Sequence, residues 1–177
     1  MSPVVEVTVR QLVLRRRPAP DRPLRAAPDG VRLRRVPDGE QAGVVREMYR
    51  RVGAAWHWLD RAHWTVGEWA SFLLAKQAEV WLAESGGGAV GFVVLGTQEG
   101  DEVEICYFGL VPEWIGRGAG AWLLDRAIDR AWALGPDRLR LETCSLDAPA
   151  ALPNYLARGF EVRREEQLSR EVPDGPG

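Results

Sequence analysis

The densest chemical signal in the chain is Ile115-Gly116-Arg117-Gly118-Ala119-Gly120-Ala121, set between a stretch of strand-like alternation and a stretch of helical spacing. Glycines there let the backbone approach a ligand closely. The unspent N–H groups of a helix start, with the macrodipole behind them, bind an anion without any side chain. For a phosphate the dipole alone contributes ~0.3–2 kcal/mol, and a diphosphate is the natural guest. The structural alternative is a glycine turn that merely seats the helix on its sheet. Without lysine or hydroxyl, the loop lacks the Gly-Lys-Ser/Thr of a triphosphate-binding P-loop, which excludes nucleoside-triphosphate hydrolysis. A dinucleotide stays open, because Gly116, Gly118 and Ala121 fit Gly-x-Gly-x-x-Gly/Ala and Glu142 lies where an acid could take a ribose. Against it, Pro112-Glu113-Trp114-Ile115 separate the strand from the glycines, and an antiparallel meander comes first.

Other residues could take part in chemistry. Trp56, His57, Trp58, Asp60, His63, Trp64 and Trp69 crowd one segment. Aromatic faces with a carboxylate suit a cationic amine or an aromatic acceptor, although tryptophans of this bulk are also needed for packing alone. Glu102 and Glu104 share one face of the run Asp101–Val111. Cys106 and Cys144 stand apart, with no CxxC and no neighbouring histidine. No zinc site, disulfide framework or cysteine nucleophile is expected, and no metal.

The elements that must position these groups follow from periodicity. Residues 4–14 alternate like a strand, then Arg15–Arg17 open an arm punctuated by Pro18, Pro20, Pro23 and Pro28. Val31–Val36 read as a strand, with Asp38 capping a helix to about Val52. Gly53–Ala78 read as two short helices with a bend, the second capped by Thr65. Glu79–Glu84 and Ala89–Gly96 flank Ser85-Gly86-Gly87-Gly88, which supplies the positive φ angles of a tight hairpin, and Asp101–Val111 extends the meander. Leu123, Leu124, Ala127, Ile128, Ala131 and Leu134 recur at helical spacing from Gly118 to Leu134, and Gly135-Pro136 end that helix. A strand (138–146), a short helix (148–158) and a last strand from Gly159 complete a β-α-β-α-β second half.

At 177 residues and 46% hydrophobic content the chain is sized for one core. We read residues 1–30 as an N-terminal strand and Pro-rich arm, 31–170 as the catalytic domain and 171–177 as a flexible tail. Net charge −2 and a pI near 5.8 give no basic field for nucleic acid or anionic membranes, so neither is an expected partner. The N-terminus has no signal-peptide pattern and no run approaches a membrane span. A cytoplasmic protein in a reducing compartment, monomer or homodimer, is expected.

From Glu104 through Phe160 the sequence resembles the GNAT superfamily of acetyl-CoA-dependent N-acetyltransferases. That family's loop reads Gln/Arg-x-x-Gly-x-Gly/Ala, against Ile115-Gly116-Arg117-Gly118-Ala119-Gly120 here. A long helix and a strand follow. Asp147-Ala148-Pro149-Ala150 then stands where the family has Asn-x-x-Ala, and Tyr155-Leu156-Ala157-Arg158-Gly159-Phe160 matches its Tyr-x-x-x-Gly-Phe. Ile115 departs from the preferred Gln or Arg, and Asp147 from Asn. The first 100 residues match in element order only, and the whole pattern looks like a group of bacterial GNAT proteins carrying a Trp-His-Trp segment.

The resemblance implies an α/β (α+β) GNAT fold. Its central sheet would be mixed, mostly antiparallel, of about six or seven strands, splayed at the cofactor site and covered by helices on both faces. It implies an N-acetyltransferase that moves an acetyl group from acetyl-CoA to a primary amine of a small molecule by direct attack. The coenzyme would lie along Phe108, Leu110, Val111, Ile115, Gly116, Arg117, Gly118, Ala119, Gly120, Ala121, Asp147 and Ala150. The Leu110 N–H would face the thioester oxygen, a contact worth ~3 kcal/mol in acyl transfer. Glu104, eleven residues before Ile115, falls at the offset of the family's glutamate base, and Tyr155 at its general-acid tyrosine. Trp56, Trp58, Asp60 and Trp64 lie where the fold lines its acceptor site. Two alternatives are a non-catalytic acyl-CoA sensor of the same fold and the dinucleotide-binding domain.

Overall fold

The computed structural model describes residues 3–97 and 100–172. β1 (Val4–Leu14) and β2 (Val31–Arg35) precede two helices, α1 (Asp38–Gly53) and α2 (Val66–Ala75). The meander β3 (Glu79–Ser85), β4 (Gly88–Thr97) and β5 (Glu102–Leu110) leads through a 3-10 turn at Pro112–Trp114 to α3 (Ala119–Ala133). Then come β6 (Arg138–Cys144), α4 (Ala151–Leu156) and β7 (Glu161–Glu171). The strands form one seven-stranded sheet in the order β2-β3-β4-β5-β6-β1-β7, antiparallel except for β5 and β6. No described helix is long and apolar enough to cross a membrane.

Local chemistry accounts for most of these elements. Gly86 and Gly87, at φ 58 and 82, make the two-residue turn joining β3 to β4, the left-handed geometry that hairpins favour and glycine adopts freely. Thr65 accepts from the Glu68 N–H (3.2 Å) while Glu68 accepts from the Thr65 N–H (2.7 Å), a reciprocal capping box that starts α2. α3 ends as expected, with Gly135 at φ 84 and Pro136 behind it. Asp38 is not the cap of α1. Pro37 holds that position, its ring setting φ at −58, while Asp38 begins the helix and accepts from Arg35 and Gln41 at 3.1 Å each.

The unbroken apolar run of β4 is explained by its place in mid-sheet. Val93 and Leu95 enter one core beneath α3, with Leu123, Leu124, Ile128 and Leu139. Phe92 and Val94 enter the opposite core under α1 and α2, with Val45, Met48, Tyr49 and Trp69. Side chains alternate across a strand, so a strand covered on both faces needs apolar residues at every position. Each large side chain buried in these layers contributes roughly 1.5–3 kcal/mol.

One part of the fold differs from the periodicity reading. The segment before α2 contains no first helix. Residues 54–64 are turns, with His57 at φ 56, a left-handed conformation that costs a non-glycine residue energy. α1 straps this segment down: Arg46 Nε donates to the Trp64 carbonyl, Arg50 Nε to the Ala62 carbonyl, and the Tyr49 hydroxyl accepts from the Arg61 N–H, at 3.1, 3.1 and 3.2 Å. Three α1 residues at helical spacing thus add to the turn hydrogen bonds that the segment makes with itself. β1 forms over the residues whose alternation predicts it and lies between β6 and β7 inside the sheet, with Leu12 opposite Leu141 on one side and Val162 on the other. β7 extends through Glu171, and residues 173–177 of the expected tail fall outside the described residues.

Gly53 ends α1 so close to Trp58 that an added Cβ would stand 2.4 Å from the Trp58 Cβ, whereas a Cβ on exposed Gly43 of the same helix would meet nothing within 4 Å. Gly53→Ala is therefore expected to cost ~1–3 kcal/mol through overpacking. Gly43→Ala should gain ~0.5–1 kcal/mol from helix propensity. Urea unfolding midpoints of the two variants check the opposite signs.

Candidate active site

β5 and β6 pair only from Glu102–Ile105 to Arg138–Leu141. Beyond that point β5 carries one extra residue: Val94 faces Tyr107 and Leu95 faces Ile105, leaving Cys106 as a bulge. Bulges bend and twist a strand, and here β5 parts from β6 with Cys106–Leu110 on one side of the opening and Glu142–Cys144 on the other. A cavity of about 660 Å³ fills the opening and runs from the Gly116–Gly120 loop to the segment 56–61. That is the size of a site for a small organic ligand.

At the loop end the backbone does the work. Gly116 and Gly118 hold φ 81 and 79, and Gly118 is the residue from which α3 springs, in a left-handed conformation that an L side chain rarely adopts. The first-turn N–H groups of a helix have no intrahelical acceptor, and those of α3 open beside the cavity, which Gly118, Gly120 and Ala121 line. Along β5, the Val111 N–H is spent on the Val90 carbonyl at 3.0 Å. The alternation of an antiparallel ladder then turns the Leu110 N–H away from β4, toward the opening.

Ile115, Phe108, Leu110, Asp147 and Ala150 also line the cavity. Val111 and Ala119 do not, being packed at 1% and 0% exposure. Arg117 does not either, its guanidinium lying 5.1 Å from the Trp114 ring centre. Asp147 is occupied by its own fold. One oxygen accepts from Thr143 Oγ1 (2.6 Å) and the Cys144 N–H (2.9 Å), the other from Trp58 Nε1 (3.4 Å), which ties the aromatic segment to the end of β6.

Two titratable groups face the middle of the cavity. Tyr155, on α4, is packed between Phe108 and Phe160 and makes no hydrogen bond with any described residue. Burial, with the Asp147 charge adding to it, pushes its hydroxyl well above the ordinary tyrosine value, so it stays a proton carrier. Glu104 accepts from Lys76 Nζ at 2.8 Å and pairs with Arg140 at 3.3 Å. Arg140 also reaches Glu102 (3.5 Å), which pairs with Arg138. The lining cysteines are unsuited to attack. Burial and then the Glu104 charge push the Cys106 thiol up to about 12, and burial and Asp147 raise Cys144.

The far end is aromatic and charged. Trp56, Trp58 and Asp60 line it, while Trp64 does not, being stacked on Trp69 and Phe72 at 5.0 and 6.0 Å. Tyr49, Arg61, Phe72, Lys76, Tyr107 and Arg170 line it too. Periodicity carried no sign of these, since four elements distant in sequence bring them together.

An antiparallel meander and a single parallel pair exclude the parallel dinucleotide-binding sheet that the glycine spacing left open. Strands parted beside a glycine-rich helix start define a mixed α/β acetyltransferase fold. The chain belongs to the Acetyltransferase (GNAT) family, which it matches over residues 43–160. It is similar in fold to a GCN5-related N-acetyltransferase from Sphaerobacter thermophilus (TM-score 0.72, 18% identity), covering 96% of this chain and 53% of the other. The chain thus spans about half the length of that protein. It is also similar to a PaiA N-acetyltransferase from Thermoplasma acidophilum in complex with coenzyme A (TM-score 0.59, 15% identity, 80% and 99% covered). A third similar structure is an IAA acetyltransferase from Bacillus cereus (TM-score 0.57, 19% identity, 80% and 99% covered). No curated protein sequence matches the chain.

All three tyrosines, Tyr49, Tyr107 and Tyr155, are raised above the ordinary value, chiefly by burial. The folded state keeps these protons where the unfolded chain releases them near pH 10, so stability is complete below that pH and falls as pH rises above it. Absorbance at 295 nm should show less tyrosinate in the native protein at about pH 10 than in the unfolded chain, with further ionisation arriving together with the loss of near-ultraviolet dichroism.

Proposed function

We propose that the protein is an N-acetyltransferase moving an acetyl group from acetyl-CoA to the primary amine of a small molecule by direct attack. The observation that carries this reading is the juxtaposition, in one cavity, of the free helix start at Gly118, the parted strands and the unpartnered Tyr155 hydroxyl. The loop and first turn of α3 suit the diphosphate of the coenzyme, held through the N–H groups of Gly116–Ala121. Phe108 and Leu110 on β5 and Ala150 before α4 would flank its arm. Asp147, committed to Thr143, Cys144 and Trp58, shapes that wall and has no donor to offer.

Acetyl-CoA supplies an acyl group activated as a thioester; the amine nitrogen forms the new C–N bond as the C–S bond breaks. Glu104 takes the proton of the amine, directly or through water, from a carboxylate held in place by Lys76 and Arg140. The Leu110 N–H meets the carbonyl oxygen as charge develops on it. Tyr155, neutral throughout the working pH range, delivers a proton to the departing sulfur. The inert Cys106 thiol supports direct transfer over an acyl-cysteine route. Trp56, Trp58 and Asp60 form the acceptor wall, Asp60 meeting the ammonium before it is deprotonated.

Calorimetric titration with acetyl-CoA, CoA and NADH, followed by thiol-release assays over a panel of amines, tests the reading. Acetyl-CoA and CoA should bind and NADH should not; a Gly118→Trp variant, strained at its left-handed φ, should lose coenzyme binding. Tyr155→Phe should lower kcat by about 10²-fold or more, the usual scale of a lost proton donor, with acetyl-CoA still bound. Turnover undiminished in Tyr155→Phe removes its role as acid. Coenzyme binding with no amine acetylated turns the protein into an acyl-CoA sensor.

A further inference from the structure

The acceptor end of the cavity holds charge that the reaction above leaves unused. Arg61 rises from the turn segment with its guanidinium carbon 4.6 Å from the ring centres of both Trp64 and Phe72 and 5.9 Å from that of Tyr107. Its Nη1 donates to the Tyr107 hydroxyl. A guanidinium has five N–H donors, and the other four find no acceptor among the described residues. No described carboxylate lies within ion-pair distance of it; the ion pairs of the site are Lys76 and Arg140 with Glu104. Aromatic faces offset only part of the cost of drawing a cation out of water. A half-buried guanidinium fixed in place, unpaired and open to a cavity is therefore short of one anion.

The remaining charges of the cavity say what kind of molecule carries that anion. Glu104 is paired with Lys76 and Arg140, and Asp147 keeps its charge but is tied into the wall by three hydrogen bonds. Asp60 and Glu142 remain as carboxylates, Arg61 and Arg170 as guanidiniums, all four lining the cavity. Arg170 comes from β7, far from Arg61 in the chain, yet both lie near enough to the Tyr49 hydroxyl to favour its ionised form, while Asp60 opposes it. An acceptor with amines alone would bring a further positive charge to Arg61 and Arg170. An acceptor bearing an amine and a carboxylate satisfies both signs, and the planar fork of Arg61 matches a carboxylate two-pronged.

We propose that the acceptor is an amino acid-type molecule, its carboxylate held by Arg61 with Arg170 and its amine turned toward Glu104. This identification of the acceptor rests on the acetyl-transfer reading; the anion site itself does not.

The test compares each of the twenty L-amino acids with its amide as acceptor in the thiol-release assay. It also compares each N-acetyl-L-amino acid with its amide as ligand, by calorimetry on CoA-loaded protein. A charged hydrogen-bonded pair is worth about tenfold or more, so at least one acid should exceed its amide by that factor in kcat/KM and in affinity. Arg61→Met should collapse the acid-to-amide ratio, and Arg61→Lys, which keeps the charge but loses the fork, should restore part of it. The wild-type ratio needs no variant to fold. No acid preferred over its amide in either measurement, or a ratio unchanged in Arg61→Met, overturns the proposal. Acids bound in preference to amides with no thiol released from any acceptor would sink acetyl transfer and leave the anion site standing.

Discussion

The parting of β5 from β6 after Ile105 and Leu141 is the constraint on which the rest of the site depends. Two parallel strands that stayed paired would close the cavity and satisfy each other's backbone. The Cys106 bulge ends that pairing while leaving the outer ladder of β5 to β4 intact as far as Leu110. The sheet therefore opens on one side of a strand whose other side is fully bonded. Everything with chemical potential is arranged around that edge: the start of α3 at one end, Tyr155 across it, and Glu104 at its root.

The opening is expensive in exposed backbone, and the surrounding packing holds it in shape. Trp58 is fixed by Asp147 from the β6 side and by the ring of Tyr49 at 5.4 Å from the α1 side, so it spans the two walls. Tyr107 and Phe92 stack at 12° between planes and continue the same aromatic layer toward α2. The ladder Lys76–Glu104–Arg140–Glu102–Arg138 runs along the root of the opening, where β5 and β6 are still joined. Rings set the width of the cavity and ion pairs pin its closed end.

Much of this was legible in the sequence because it is local. The glycines of the β3–β4 turn, the Thr65 box, the stripe of α3 and the Gly116–Gly120 loop each declare their geometry within a few residues. The aromatic segment was not legible as turns, because the side chains that strap it down, Arg46, Tyr49 and Arg50, come from α1. Trp64 and Trp69 carry the same composition signal as Trp56 and Trp58, yet they pack against each other, and only tertiary contact separates the two pairs. Arg61 was hidden among 23 basic residues. Its character comes from three rings contributed by three different elements.

The position of β1 has a consequence for how the molecule is made. Thr8 bonds to Gln167 across a sequence separation of 159 residues, and the same strand pairs with β6 on its other edge. β1 is synthesised long before either neighbour exists, and a Pro-studded stretch between Leu14 and Val31 separates it from the meander that follows. Closing so long a loop has an entropic cost that nearer contacts do not carry. The pairings from β2 to β6 join strands close in the chain, while β1 reaches β6 and β7 only across most of its length. The seam between near and distant pairings thus runs between β6 and β1, one strand away from the opening between β5 and β6.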